Sequence, residues 1–163
     1  ETYFRIQQYR FGSRLHLDIQ CGPEDREELY QFRLPKLTLQ PILENCIIHG
    51  TELKIGAGHL TIRLQRTQKR LLISVADNGV GMDAEKMNES LRHSNLDYVE
   101  RGNSIGIQNI NARLKILYGE EYGLYIESAI GEGTRVRMVI PRIEGEKENI
   151  EVAPVPGTDQ KNG

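Results

Sequence analysis

No stretch of this sequence approaches the roughly 20 consecutive apolar residues that a membrane-crossing helix needs. Its first residues, ETYFRIQQYR, also lack the order of regions that marks a signal peptide. Cysteine is nearly absent. Cys21 and Cys46 stand far apart and in no CxxC or Cys/His spacing, which leaves a zinc site or a disulfide framework without support and fits a reducing, cytoplasmic setting. An excess of one charge is missing too. With 21 Lys and Arg against 23 Asp and Glu the formal charge is −2, and the signs are mixed along the chain, so nothing gathers phosphate backbones and no nucleic acid partner is expected. At 163 residues, 38% hydrophobic and 27% charged, the chain can bury one core and is too short for two comfortable ones. It opens without Met, inside what reads as a helix, and is expected to be a piece of a longer protein.

Hydrophobic periodicity organises what is present. Residues 1 to about 11 read as the tail of a helix closed by Gly12, and Leu15 to Gln20 as a short strand. A helix is expected over about 36 to 50, entered after Pro35. It places Leu39, Ile42, Leu43, Cys46 and Ile47 on one stripe, with Gly50 as the stop and Pro41 near the first turn, where it costs least. HLTIRLQRT and RLLISVADN are strand patterns joined by a charged turn, the second nearly continuous in apolar residues and therefore deeper. A polar stretch from 83 to 103 predicts a short helix near 84 to 91 and then a mobile loop. An amphipathic helix follows from about Gly106 to Tyr118, with Ile107, Ile110, Leu114 and Leu117 on one face. LYIESAI and TRVRMVIP flank the turn GEG as a hairpin, and from Arg142 onward the composition predicts a disordered tail. Strands joined by hairpins exclude a doubly wound parallel sheet; helices on one face of a mixed sheet fit.

Four segments carry side chains able to do chemistry. In LQPILENCIIHG, Asn45 and His49 lie one turn apart on a flank of the apolar stripe. There an amide oxygen can serve a magnesium ion, or Asn45 can simply satisfy a nearby backbone group while Glu44 is solvated. In DNGVGMD, Asp77 ends a strand and Gly79 and Gly81 permit close backbone approach, although DxGxG alone is an ordinary turn. RGNSIGIQN puts glycines before a helix amino terminus, a ready anion site. The turn GEGT is a plain hairpin unless Thr134 faces the same pocket.

In combination and order, these segments resemble the GHKL superfamily of ATP-binding proteins: gyrase, heat-shock protein 90, mismatch-repair ATPases and histidine kinases. PKLTLQPILENCIIHG resembles the N box of sensor histidine kinases of the LytS/YesM type, and IRLQRTQKRLLISVADNGVGM with GIQNINARLKILYG continues the match. The upstream YFRIQQYRFGSRL is similar to the segment leading into this domain, so the likeness covers about residues 1 to 141. It implies an α+β fold of Bergerat type, a two-layer sandwich with a mixed, mostly antiparallel sheet, helices packed on one face and a flexible ATP lid. It also implies a catalytic ATP-binding domain at 1–141, with 1–12 the end of a linker helix and 142–163 a tail.

The resemblance further implies roles for particular residues. Asp77 would accept a hydrogen bond from the exocyclic amine of adenine, and a carboxylate, being only an acceptor, disfavours the oxygen that guanine carries there. Gly79 and Gly81 would let the backbone pass the base, with Met82 packed against it. Asn45 would hold the Mg2+ that bridges the phosphates, His49 would lie near the nucleotide, and Glu44 would be the general base, with Gln40 the weaker candidate because Pro41 stands where relatives place an acid or amide. Residues 83–104 would form the lid, with Gly102 and Gly106 as its glycine box. Asn103 and Ser104 occupy intervening places, thinner in glycine than the family usual, and Ser104 would donate to a phosphate. Asn109 is a candidate phosphate or lid contact, and Thr134 would reach the adenine side through water. Ile48 stands where the group often has Lys. The implied partners are ATP, an upstream dimerisation and phosphoacceptor domain in a homodimeric parent, and a response regulator downstream. The implied place is the cytoplasmic side of a bacterial inner-membrane protein. His16, His49, His59 and His93 read as strand, pocket, turn and lid residues, none in a phosphoacceptor motif. Two alternatives stay open at this point: an anti-sigma-factor serine kinase, and a degenerate sensor that binds ATP without transfer.

Overall fold

Apolar runs, alternating or nearly continuous, become five strands: β1 (Leu15–Cys21), β2 (Gly58–Arg66), β3 (Arg70–Asp77), β4 (Gly123–Ala129) and β5 (Gly133–Pro141). The computed structural model describes residues 14–22, 32, 34–51, 56–93 and 106–143, with the side chains of 49–51 outside that description. The expected linker helix at 1–12, residues 94–104 of the expected lid with Gly102 and Ser104, and the tail beyond 143 therefore lie outside the described residues.

The strands form one sheet in the order β1-β2-β3-β5-β4. Only β1 and β2 run parallel; the other three pairings are antiparallel, two of them within the hairpins β2–β3 and β4–β5. Placing β3 at the centre explains its nearly continuous apolar sequence, because a central strand has neighbours on both edges as well as a buried face. Leu71, Ile73 and Val75 point to the helices and are 1–3% exposed. His59 was expected in a turn. It lies instead in β2, where its ring stacks on that of His16 at 4.9 Å and 18°, because parallel pairing puts the two residues in register.

Three helical segments cover one face: α1 (Leu39–Asn45), continued by a π-helical stretch Cys46–Thr51, then α2 (Ala84–Arg92) and α3 (Gly106–Tyr118). Two details differ from expectation. The first helix starts at Leu39 rather than near 36, because Leu37 takes a positive φ of 60° that no right-handed helix can contain, while Thr38 turns its hydroxyl back onto the Pro35 carbonyl. Pro41 thus falls within the first turn, where a missing N–H removes no intrahelical bond. The helical segment also runs one residue past Gly50. In α3, Ile107, Ile110 and Leu114 are buried as expected, but Leu117 is 48% exposed. The buried arc of that helix centres between Ile107 and Asn111 and takes in Gln108 and Ala112, which leaves Leu117 past its edge.

Strand β4 lies at the edge of the sheet, and two asparagines satisfy its outward backbone. The Asn88 amide donates to Ile126 O at 2.7 Å and accepts from Ile126 N at 2.9 Å, as a neighbouring strand would. Asn111, 1% exposed, accepts from Leu124 N and donates to Leu91 O, both at 2.8 Å. Both α2 and α3 are thereby tied to one strand, and its edge is closed to further pairing.

Candidate functional site

The site is built on a row of side chains that crosses the sheet. Register sets Leu60 of β2 beside Asp77 of β3, Asp77 beside Thr134 of β5, and Thr134 beside Ser128 of β4, all facing the helices. Asp77 is only 8% exposed, a burial that a carboxylate tolerates when hydrogen bonds compensate the lost water. They do here. Asp77 Oδ1 accepts from Gly79 N at 2.8 Å, closing the turn after β3, and from Thr134 N at 3.3 Å.

Two glycines let the turn after β3 and the β4–β5 turn lie against each other. A Cβ on Gly81, whose φ is +69°, would run into the carbonyl of Ala129, and one on Gly133, φ +94°, would run into the carbonyl of Asp77 itself. Gly131 N donates to Val80 O at 2.7 Å across the same contact. The GEGT hairpin therefore packs against the turn that follows Asp77 as well as closing β4 onto β5. Met82 follows, half-buried against the core, its N–H bonded to Ser128 Oγ at 2.8 Å.

From the helical layer, Cys46 reaches the same carboxylate. Its side chain is 2% exposed and hydrogen-bonded to Asp77. Burial above all, and then the charge of Asp77 and the bond to it, push the Cys46 thiol well above its ordinary range, so it stays a neutral donor. Because Cys46 directly follows Asn45 at the point where α1 becomes π-helical, this contact joins the end of α1 to the end of β3. Single turns of π-helix recur at functional sites. Asn45 is half-buried at that junction, and Glu44 beside it accepts from Gln40 Nε2 at 2.9 Å, so the two candidates for proton handling form one pair a helical turn apart. His49 belongs to the π-helical stretch, but its side chain is outside the described residues.

The amino-terminal turn of α3 approaches the first turn of α1, where a Cβ on Gly106 would stand 3.2 Å from the Pro41 ring. One turn into α3, the buried Asn109 Oδ1 has no hydrogen-bond partner among the described residues. A buried amide oxygen left without a donor costs about 1–3 kcal/mol, a penalty that a metal ion, a water or a ligand donor would remove. No three His, Cys, Asp or Glu side chains converge on a metal position among the described residues. An amide oxygen such as Asn109 Oδ1 is a hard ligand of the kind magnesium takes.

Sequence reasoning missed Ser128 and underread Cys46. Register within the β4–β5 hairpin, set by the GEG turn, would have put Ser128 opposite Thr134. Nothing local in the sequence distinguishes Cys46 from the other members of its apolar stripe.

Comparison with known proteins agrees with this architecture. Residues 32–144 match the family model described as histidine kinase-, DNA gyrase B-, and HSP90-like ATPase. The chain is 34% identical over 139 residues to the sensor histidine kinase YesM of Bacillus subtilis (strain 168), covering 85% of this chain and 22% of the relative. It is 35% identical over 141 residues to the sensor histidine kinase YpdA of Escherichia coli (strain K12), covering 86% and 23%. The chain thus spans less than a quarter of the length of these relatives. Among solved structures, the histidine kinase domain of the Erythrobacter litoralis EL346 blue-light activated histidine kinase shares the fold, with a TM-score of 0.53, 18% identity and coverage of 86% of this chain and 61% of that one. No helix among the described residues is long and apolar enough to cross a membrane. The family match covers most of the chain and the mixed sheet with its helices agrees with it, so the chain belongs to the histidine kinase-, DNA gyrase B- and HSP90-like ATPases.

Proposed function

We propose that this domain binds Mg2+-ATP and serves as the catalytic part of a sensor histidine kinase, delivering the γ-phosphoryl group to a histidine on an upstream dimerisation segment of a homodimeric parent. A response regulator would be the next acceptor, and the parent would place this domain on the cytoplasmic side of a bacterial inner membrane. The carrying observation is the Asp77 carboxylate, buried at the end of β3 and bonded through Cys46 to the helix that bears Glu44 and Asn45.

In this reading Asp77 takes the exocyclic amine of adenine, and the Gly79–Gly81 backbone gives the base room to lie against Met82. Thr134 faces the same edge of the base. Asn45 lends its amide oxygen to the ion, and Asn109 offers its unpartnered oxygen at the same phosphate end. Gly106 opens the helix whose free N–H groups face the phosphates, and Gly102 and Ser104 would complete that side, with His49 near the nucleotide. Glu44, steadied by Gln40, orients the incoming imidazole as general base. When bound, magnesium would neutralise phosphate charge and lower the repulsion met by the attacking nitrogen.

ATP titration of the wild type and of Asp77→Ala, with and without Mg2+, tests the reading. Loss of an adenine-recognising carboxylate should weaken binding more than tenfold, about 1.5 to 3 kcal/mol, and omission of Mg2+ should weaken the wild type. Equal affinities for wild type and variant would overturn it. Joined to its upstream segment, the domain should yield acid-labile phosphohistidine; phosphoserine on a partner protein, or no transfer despite binding, would point away from a histidine kinase.

A further inference from the structure

We infer that Ser128 is a specificity-determining positioning residue: it accepts the hydrogen bond of the Thr134 hydroxyl, so that Thr134 presents only lone pairs to the edge of the base. This rests on the reading of the Asp77 cavity as an ATP pocket.

The argument is a proton count. A serine hydroxyl carries one proton and two lone pairs. The proton of Ser128 goes to Gly133 O at 2.7 Å, and one lone pair accepts from Met82 N at 2.8 Å. A third neighbour remains, Thr134 Oγ1 at 3.1 Å. With the serine proton already used, that contact is a hydrogen bond only when Thr134 donates. Thr134 has a single hydroxyl proton to give, and at 6% exposed it has little bulk water to turn toward instead. Its remaining capacity is to accept.

Next to it in register stands Asp77, also an acceptor, and the Thr134 N–H is bonded to that same carboxylate. The row thus offers two neighbouring acceptors to position 6 of a purine. An exocyclic amine brings two N–H groups and can satisfy both, directly or with one through water. A keto oxygen at that position meets lone pairs on both sides. Without Ser128 the Thr134 hydroxyl turns freely and can donate to the keto oxygen, which relaxes the choice. Ser128 therefore acts on base selection without touching the base.

ATP and inosine triphosphate, which differ at position 6 and in the N1 proton, separate these cases when titrated against the folded domain in Mg2+. Wild type should prefer ATP. Ser128→Ala should narrow the ATP-to-inosine-triphosphate affinity ratio about threefold or more, the size of one neutral hydrogen bond. Ser128→Thr, which restores a hydroxyl, should keep the wild-type ratio, and Ser128→Cys, a weak hydrogen-bond partner of similar shape, should narrow it even if the alanine variant fails to fold. In a Thr134→Val background, Ser128→Ala should change the ratio no further. An unchanged or wider ratio in the alanine and cysteine variants, or an equal loss for both nucleotides, would overturn the inference while leaving the ATP pocket standing. Equal binding of the two nucleotides by wild type, or binding of neither, would overturn both.

Discussion

The two ends of the site are built on opposite plans. At the base end, Asp77, Thr134, Ser128, Gly79 and Met82 bond to one another, and glycines hold the two turns in contact. At the proposed phosphate end, Asn109 keeps a buried oxygen without a partner among the described residues. On that reading one end is complete before any ligand arrives, and the other would be completed by it. Preformed acceptors cost nothing to arrange at the moment of binding and so favour selectivity. An unsatisfied oxygen stores a penalty that an ion or a ligand donor there would remove, which on the proposed reading would tie affinity to the ion and the phosphates.

The contrast breaks most severely at the base end. Gly133→Ala should cost about 3 kcal/mol or more, because the added methyl needs an unfavourable φ and collides with the Asp77 carbonyl. Urea unfolding would show the lost stability, and ATP titration the lost binding. Next in size is a pH effect at the join between the two ends. The Cys46 thiol, raised by burial and by Asp77, keeps its proton in the folded chain after the unfolded chain has released it. Its stabilising share is whole below about pH 8.5 and falls as pH climbs toward the folded value, by up to about 1.4 kcal/mol per unit. Unfolding at pH 8 and pH 10 should therefore show wild type losing more stability than Cys46→Ser.

A substitution at the phosphate end should act with the opposite sign on stability. Asn109→Leu removes an unpartnered polar atom and should raise the unfolding free energy by up to about 1 kcal/mol while lowering ATP affinity several-fold. A stability loss with unchanged affinity would show that the amide serves the fold instead. The smallest effect belongs to the half-exposed pair on α1: Gln40→Ala should leave ATP affinity unchanged and slow phosphohistidine formation about twofold, in line with the ~0.5 kcal/mol of an i, i+4 side-chain pair.

Much of this was legible in the sequence because it is local. Alternating or continuous apolar runs placed all five strands within about a residue, and the pattern from Gly106 to Tyr118 matched α3 end to end. The stripe Leu39, Ile42, Leu43, Cys46, Ile47 packs into or against the core as read. What failed to show depends on neighbours distant in the chain. Leu37 reads as one more helical residue until its positive φ is seen. Ser128 gains its meaning from Met82 and Gly133, and Cys46 from Asp77. The DxGxG, N-box and GxGT segments each look like an ordinary helix or turn, and only their order along the chain pointed to one cavity.

The asparagines that bond to β4 bear on how α2 and α3 can move. Asn88 fastens α2 to the edge strand, and Asn111 fastens α3 to the same strand and to Leu91. Both helices are thus moored to a single β-strand. A swing of either helix as a rigid arm would then have to break its amide bonds to that strand.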